Sequence, residues 1–174
     1  LQPGARPGRP AYRGAMTPDR TDHRIREATE ADAAAVGRLL DAFNREYDDP
    51  SPGPEALAER TRRLLAGGDT VILLSGEGPD GLAVLRFRLS IWGADQECYL
   101  AELYVVPHAR GHGQGRALME AAMATAVARG ADHMDLGTSE DDTAARALYE
   151  SLGFVNSEDG PGGPPSYFYE RPLP

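Results

Sequence analysis

The chain has 174 residues, of which 41% are hydrophobic and 26% are charged. This length fits one domain with a substantial core, and the single cysteine excludes an internal disulfide framework or a cysteine-rich zinc site. The formal net charge of −9 would repel a phosphate backbone, so we expect no nucleic-acid partner. No apolar run reaches the ~18 residues of a membrane span and no secretory signal is recognisable, so we expect no membrane partner and a cytoplasmic location.

The first residues differ in composition from the rest of the chain. Residues 1–15 contain arginines but no acidic residue, and prolines and glycines separate the arginines. We expect residues 1–22 to form an extended, flexible segment, with Met16 as a candidate start of the native chain. An ordered basic arm is the alternative. Residues 23–174 are expected to form a single domain.

From residue 24 onwards the pattern alternates strands and helices. Alternating residues at 24–28 predict a short strand, and a capping box formed by Thr29 and Asp32 begins the first helix. Pro54 suits the first turn of a second helix, which ends at the glycines 67–68.

The remaining elements continue this alternation and predict an α/β domain. Strands are next predicted at 71–74, 82–92 and 97–106. The second half is predicted to form a helix at 113–129, a strand at 133–136, a helix at 140–152 and strands at 154–155 and 166–171.

The most informative stretch is a strand followed by a glycine-rich turn and a strongly patterned helix, at residues 103–118. Such a turn directs several backbone N–H groups at one point, and the helix N-terminus adds about half a positive charge. The stretch therefore predicts a site for phosphate or pyrophosphate, with a purely structural connection as the alternative. A Walker A loop is excluded because the sequence has no lysine, and the dinucleotide fingerprint is excluded because its third glycine is missing.

Two motifs resemble those of the GNAT superfamily of acyl-CoA-dependent N-acyltransferases. The first, Gln/Arg-x-x-Gly-x-Gly/Ala, is met by Arg110-Gly111-His112-Gly113-Gln114-Gly115. The second, Asn-x-x-Ala-x-x-x-Tyr-x-x-x-Gly-Phe, is met over residues 142–154 with Asp142 in place of asparagine. The resemblance covers roughly residue 25 to the C-terminus. It implies the GNAT fold, a mixed, twisted sheet of six or seven strands with helices on both faces.

The resemblance also implies acetyl-CoA as a cosubstrate, with no metal. Backbone groups of Val105 and Val106 would pair with the pantetheine arm, and either amide could polarise the thioester carbonyl. Asp142 stands where an asparagine of the family contacts the cofactor, while capping of the following helix is an open alternative. The pyrophosphate would be held by the loop residues Arg110, Gly111, His112, Gly113, Gln114, Gly115 and Arg116. His108 and His112 are expected beside the phosphates.

Tyr149 matches a tyrosine that lies near the CoA sulfur in the family. The resemblance therefore implies that it protonates the leaving thiolate, whereas a purely packing tyrosine is the alternative. Cys98 suggests an acyl-cysteine route, but no histidine near it in sequence would activate it. We expect direct transfer in a ternary complex.

Glu102 is the candidate general base. An extended strand would place it on one face with Leu100 and Tyr104, and the face of Cys98 would be the same. Burial between apolar neighbours would raise the pKa of the carboxyl group and let it take a proton from an incoming ammonium. The alternative is an ion pair with an arginine of the neighbouring strand, Arg86 or Arg88.

The acceptor site is placed by the resemblance between the 47–56 loop, the hairpin around Trp92 and the C-terminal loop. The acidic and aromatic residues offered there are Glu46, Asp48, Asp49, Trp92 and Tyr167, which suit a cationic amine. The implied function is transfer of an acetyl group to a primary amine of a small molecule. A protein or peptide acceptor and a non-catalytic acyl-CoA sensor are the alternatives, and the sequence leaves open whether the protein is a homodimer.

Overall fold

The computed structural model describes residues 23–91, 93 and 95–173. The predicted N-terminal segment 1–22 and Trp92 lie outside the described residues. One mixed sheet contains the strands β1 Ile25–Glu27, β2 Thr70–Ser75, β3 Gly81–Leu89, β4 Gln96–Val105 and β5 Ala131–Leu136. The strands lie side by side in sequence order; β1 to β4 are antiparallel, and β5 runs parallel to β4.

The helices begin and end at residues suited to helix termini. They are α1 Ala33–Glu46, α2 Pro54–Gly67, α3 Gln114–Ala128 and α4 Thr143–Ser151. The predicted cap before α1 is present, because the Thr29 N–H donates to the Asp32 carboxylate at 2.8 Å. Pro54 stands in the first turn of α2, and Gly68 ends that helix with a φ of 78°, which favours glycine.

Helices cover both faces of the sheet and divide the core in two. On one face α3 and α4 pack on an α3-side core that includes Val71, Leu85, Leu118 and Tyr149. On the other face α1 packs on an α1-side core that includes Val36, Ile72 and Leu82. The predicted α/β class with helices on both faces is confirmed.

The sheet has five strands in the described part of the chain, fewer than the six or seven expected. The predicted strands at 154–155 and 166–171 do not form; only an isolated bridge joins Ser157 to Pro165. Segment 159–165, rich in proline and in glycine with positive φ, is the turn that this bridge closes. Over the described residues, the backbone hydrogen bonds across the bridge join only Glu158 to Pro164 and Ser166 to Asn156, which is too few for a strand pair.

A β-bulge at Ala101 interrupts β4. Val84 of β3 is paired with Glu102, whereas the next residue, Leu85, is paired with Leu100. β4 therefore contains one residue more than β3 at this point, which shifts the side-chain alternation of the strand.

The bulge places the two halves of β4 on different faces. Cys98 and Leu100 belong to the α3-side core, whereas Tyr104 belongs to the α1-side core. Glu102 faces the same side as Tyr104, because its partner Val84 is also in the α1-side core. The expectation that Leu100 and Cys98 share the face of Glu102 is wrong, since the extra residue breaks the period of two.

Candidate active site

An open groove of about 500 Å³ follows the second half of β4. The pairing of β4 with β5 ends at Leu100 and Leu136, so residues 101–105 have β3 on one edge and no strand of the described chain on the other. The groove lies on this free edge, between the end of α1, the turn before α3 and helix α4. Its lining includes Phe43, Tyr47, Asp49, Glu102, Tyr104, Val105, Arg110, Gly111, Gly113, Gln114, Gly115, Asp142 and Tyr149.

The glycine-rich turn leaves its backbone donors free. Gly111 and Gly113 have φ angles of 80° and 85°, a region that residues with a Cβ adopt only under strain. Over the described residues, none of the amides 111–116 donates to a backbone carbonyl, and Ala117 is the first to do so, to Gly113 at 3.0 Å. These free N–H groups at the N-terminus of α3 can bind an anion such as a pyrophosphate.

The side chains of this turn have roles of their own. Gln114 is buried and lines the groove. Arg116 donates to the Ser151 hydroxyl at 2.6 Å and so ties α3 to α4. The ring of His23 lies against the His112 carbonyl. Neither Arg116 nor His112 lines the groove, so only their backbone amides remain candidates for binding the cofactor.

Val105 and Val106 differ in what their amides can do. The Val106 N–H donates to the Asp80 carbonyl at 2.9 Å, on the β3 side. Because consecutive residues of a strand direct their N–H groups to opposite edges, the Val105 N–H points to the free edge. Of the two residues predicted to pair with the cofactor, Val105 is the one whose amide faces the groove.

The side chain of Arg110 turns towards the end of α1. Its two terminal nitrogens donate to the Glu46 carboxylate at 2.6 and 2.8 Å, and its Nε donates to the Val105 carbonyl at 2.8 Å. The Arg110 guanidinium lowers the pKa of Glu46 below its ordinary value. Glu46 is therefore ion-paired with Arg110, whereas the sequence had suggested that its carboxylate is free to bind the acceptor.

Glu102 is half-buried on the groove and has no ion pair among the described residues. The arginines considered as its partners are engaged elsewhere: Arg86 lies 3.8 Å from Asp69, and Arg88 pairs with Glu97 at 2.9 Å. Burial raises the pKa of the Glu102 carboxyl above its ordinary value. A desolvated carboxylate without a counter-cation can serve as a general base.

Tyr149 is only 8% exposed and lines the groove from α4. Its ring meets the edge of Phe154, with the ring centres 6.0 Å apart. Burial, and secondarily the charge of Asp142, raises the pKa of the Tyr149 phenol to about 12. The phenol is therefore protonated at neutral pH and able to donate a hydrogen bond into the groove.

Asp142 is the N-cap residue of α4. Its carboxylate accepts from the Ala145 N–H at 3.0 Å, and the helix begins at Thr143, later than the predicted residue 140. Because Asp142 also lines the groove, capping does not exclude contact with a bound molecule.

At the end of the groove next to α1, where the acceptor was predicted to bind, the lining is aromatic and acidic. Phe43 and Tyr47 meet edge to face with ring centres 5.3 Å apart, and Tyr47 is 53% exposed. Asp49 lies beside them on the groove lining. Asp48 and Tyr167 do not line the groove, which separates them from the predicted acceptor site.

Other reactive groups lie outside the groove. Cys98 is fully buried, and burial raises the pKa of its thiol to about 11. The thiol is therefore protonated at neutral pH, and Cys98 does not line the groove. The described residues hold no cluster of three or more His, Cys, Asp or Glu side chains that could bind a metal ion. Likewise, no helix among them is long and apolar enough to cross a membrane.

Comparisons with known proteins agree on one family. The sequence model of the acetyltransferase (GNAT) family matches residues 36–154. The uncharacterized N-acetyltransferase YhfO of Bacillus subtilis is 34% identical over 134 residues, which are 75% of this chain and 88% of that protein. Aminoglycoside N(6')-acetyltransferase type 1 of Stenotrophomonas maltophilia is 31% identical over 139 residues, 77% of this chain and 87% of that protein.

A solved structure gives the same result. A crystal structure of a protein from Arthrobacter sp. FB24, assigned as an acetyltransferase, superposes with a TM-score of 0.81 and 43% identity. The match covers 90% of this chain and 100% of that chain. These findings confirm the resemblance that the two sequence motifs predicted.

Proposed function

The chain belongs to the acetyltransferase (GNAT) family and is an acyltransferase. On that premise we propose that it transfers an acetyl group from acetyl-CoA to a primary amine of a small molecule, directly and within a ternary complex. One observation carries the proposal: a single groove is lined by Gly111, Gly113, Gln114 and Gly115 of the glycine-rich turn together with Glu102 and Tyr149.

The end of the groove at the glycine-rich turn, called the cofactor end here, suits acetyl-CoA. The pyrophosphate of acetyl-CoA would accept hydrogen bonds from the amides of that turn, where the dipole of α3 also favours negative charge. The Val105 N–H, on the free edge of β4, would donate to a carbonyl of the extended pantetheine arm as a neighbouring strand would. Acetyl-CoA supplies an acyl group already activated as a thioester.

Glu102 would prepare the acceptor for attack. An aliphatic ammonium has a pKa of about 10, so it must lose a proton before its nitrogen can form a bond to the thioester carbon. The half-buried carboxylate of Glu102 would take that proton, directly or through a water molecule. Its raised pKa makes it a stronger base than an exposed glutamate.

Tyr149 would act on the leaving group. As the new C–N bond forms and the C–S bond breaks, the sulfur gains negative charge, and the phenol would donate a hydrogen bond or its proton to that sulfur. A thiol with a pKa of about 8.5 is a stronger acid than this phenol, so complete proton transfer is uphill. Burial therefore favours hydrogen-bond donation. The sulfur would take its final proton from the attacking nitrogen, which must lose a second proton to become an amide, directly or through water.

The acceptor is proposed to be cationic. Asp49 offers a carboxylate and Tyr47 an exposed ring at the acceptor end, and both attract an ammonium group through charge and cation–π interaction. The name of the Stenotrophomonas maltophilia relative gives an aminoglycoside as its acceptor, which supports a small-molecule amine here.

The test is calorimetric titration with acetyl-CoA followed by thiol release against monoamines, polyamines, aminoglycosides and peptides with free N-termini. Buried Cys98, the only cysteine of the chain, should contribute little background to the thiol assay. We expect acetyl-CoA to bind and release to be fastest with a small cationic amine. Absence of binding would overturn the proposal. Binding without release would favour a sensor, and release with peptides alone would favour a peptide acceptor.

A further inference from the structure

We propose that Glu46 is a positioning residue for the proposed acetyl transfer. Its carboxylate connects the aromatic residues at the acceptor end of the groove with the loop that would hold the pyrophosphate. The inference rests on the function proposed above. It adds a residue outside both sequence motifs, on a helix that neither motif includes.

The first arm of this connection runs from Glu46 to the cofactor end. Glu46 is the last residue of α1, and Arg110 is the first residue of the glycine-rich loop. The two meet in a bidentate pair at 2.6 and 2.8 Å, and the same guanidinium holds the Val105 carbonyl at 2.8 Å. The fork of an arginine is planar and rigid, so fixing it at Glu46 also fixes Val105 and the start of the loop.

The second arm runs from Glu46 to the acceptor end. The hydroxyl of buried Tyr104 donates to the same carboxylate at 3.1 Å, and the Tyr104 ring stacks on Phe43 at 5.1 Å. Phe43 in turn contacts the ring of Tyr47. Glu46 therefore lies between the residues offered to the amine and the residues offered to acetyl-CoA.

The partial exposure of the pair limits its contribution to the free energy of folding. The side chains of Glu46 and Arg110 are 27% and 41% exposed, so solvent screens their charges, although a bidentate arginine–carboxylate pair is the kind of exposed pair that can still stabilise a fold. Loss of the pair should therefore be felt in the geometry of the groove as well as in the melting temperature. The same helix contains a second ion pair that can serve as a control. Arg45 pairs with Asp41 at 2.9 Å, and neither residue lines the groove.

The experiment compares wild type, Glu46→Gln, Arg110→Gln, the double variant and Arg45→Gln as the matched control. The acetyl-CoA Kd, the acceptor KM at saturating acetyl-CoA and the melting temperature are measured for each. We expect each single change, at Glu46 or at Arg110, to raise the acetyl-CoA Kd and the acceptor KM about tenfold. The double variant should have the same Kd and KM as Arg110→Gln alone, because the two residues belong to one network and their effects do not add. Arg45→Gln should leave both constants close to wild type.

Three results would overturn the inference. The first is a Glu46→Gln protein that melts at a lower temperature but keeps both constants near wild type, and the second is fully additive effects in the double variant. The third is wild-type protein that binds no acetyl-CoA, which would overturn the proposed function as well. If Glu46→Gln does not fold, Tyr104→Phe replaces it, because that change removes only the hydroxyl donor to the same carboxylate. An unchanged KM in Tyr104→Phe would then count against the inference.

Discussion

The carboxylate of Asp142 caps the helix that carries Tyr149, and its charge contributes to the raised pKa of that phenol. Both residues line the same groove. The capping residue therefore also acts on the tyrosine, because its charge favours the protonated phenol that the proposed mechanism requires.

Replacement of Tyr149 by phenylalanine removes the donor while keeping the ring in its packing site. We expect kcat to fall about a hundredfold, the usual effect of losing one hydrogen-bond donor to charge that develops in the transition state, with the acetyl-CoA Kd nearly unchanged. Steady-state kinetics and calorimetry on the same preparation measure both. An unchanged kcat would show that Tyr149 only packs against Phe154.

Two substitutions of Asp142 separate its capping role from its charge. Asparagine is as good an N-cap as aspartate, so Asp142→Asn should keep the free energy of unfolding, whereas Asp142→Ala should lower it by about 1 kcal/mol. Asp142→Asn should also lower the pKa of Tyr149, because one nearby negative charge is removed. Denaturant unfolding of both variants measures the contribution of the cap to the free energy of unfolding. Equal losses of that free energy in the two variants would show that capping is not what Asp142 contributes.

The glycine-rich turn allows a matched pair of substitutions. Gly113 has a φ of 85°, so Gly113→Ala should strain the turn by roughly 1–2 kcal/mol and weaken acetyl-CoA binding about tenfold. Gly115 is helical, and a Cβ there would lie 3.6 Å from Leu148 Cδ2, an ordinary contact. Gly115→Ala should therefore bind acetyl-CoA like wild type. Calorimetry measures the acetyl-CoA Kd of both variants. An equal loss of affinity in the two would show that the backbone angle at Gly113 is not the cause.

Local patterns predicted the parts of the site that are local in sequence. The turn at residues 110–116 and the cap at Asp142 depend on neighbours a few residues away, so their residue types reveal them. The class of the fold followed in the same way from the order of elements. The closing strands were over-predicted, because the aromatic residues along 166–171 favour a strand but do not determine whether a partner strand can pair with it.

Two features of the site had no local signal. The bulge at Ala101 adds one residue without a glycine or proline to mark it, and it reverses the face of every residue before it. The pair between Glu46 and Arg110 joins residues 64 positions apart. Only the folded chain brings them together, so the sequence offered Glu46 to the acceptor instead.

The activity of Glu102 should depend on pH through its raised pKa. The base works only when ionised, so kcat/KM should fall as the pH drops through a pKa above the ordinary value for glutamate. Glu102→Gln should lower kcat/KM and remove this acid limb. Measurement of kcat/KM over a range of pH for wild type and Glu102→Gln tests this prediction. An acid limb that persists in Glu102→Gln would assign the base to another residue.

Glu102 should also make the protein less stable at neutral pH than at acid pH, relative to a neutral residue there. Its pKa is higher in the folded than in the unfolded chain, so the folded protein binds more protons and this group's contribution to stability falls as the pH rises between the two values. Glu102→Gln removes that penalty. Its melting temperature should exceed that of wild type at pH about 8, well above the ordinary glutamate pKa, and the difference should disappear near pH 4. Thermal unfolding at both pH values measures the effect. A variant less stable than wild type at the higher pH would mean that Glu102 is stabilised by a contact that burial alone does not describe.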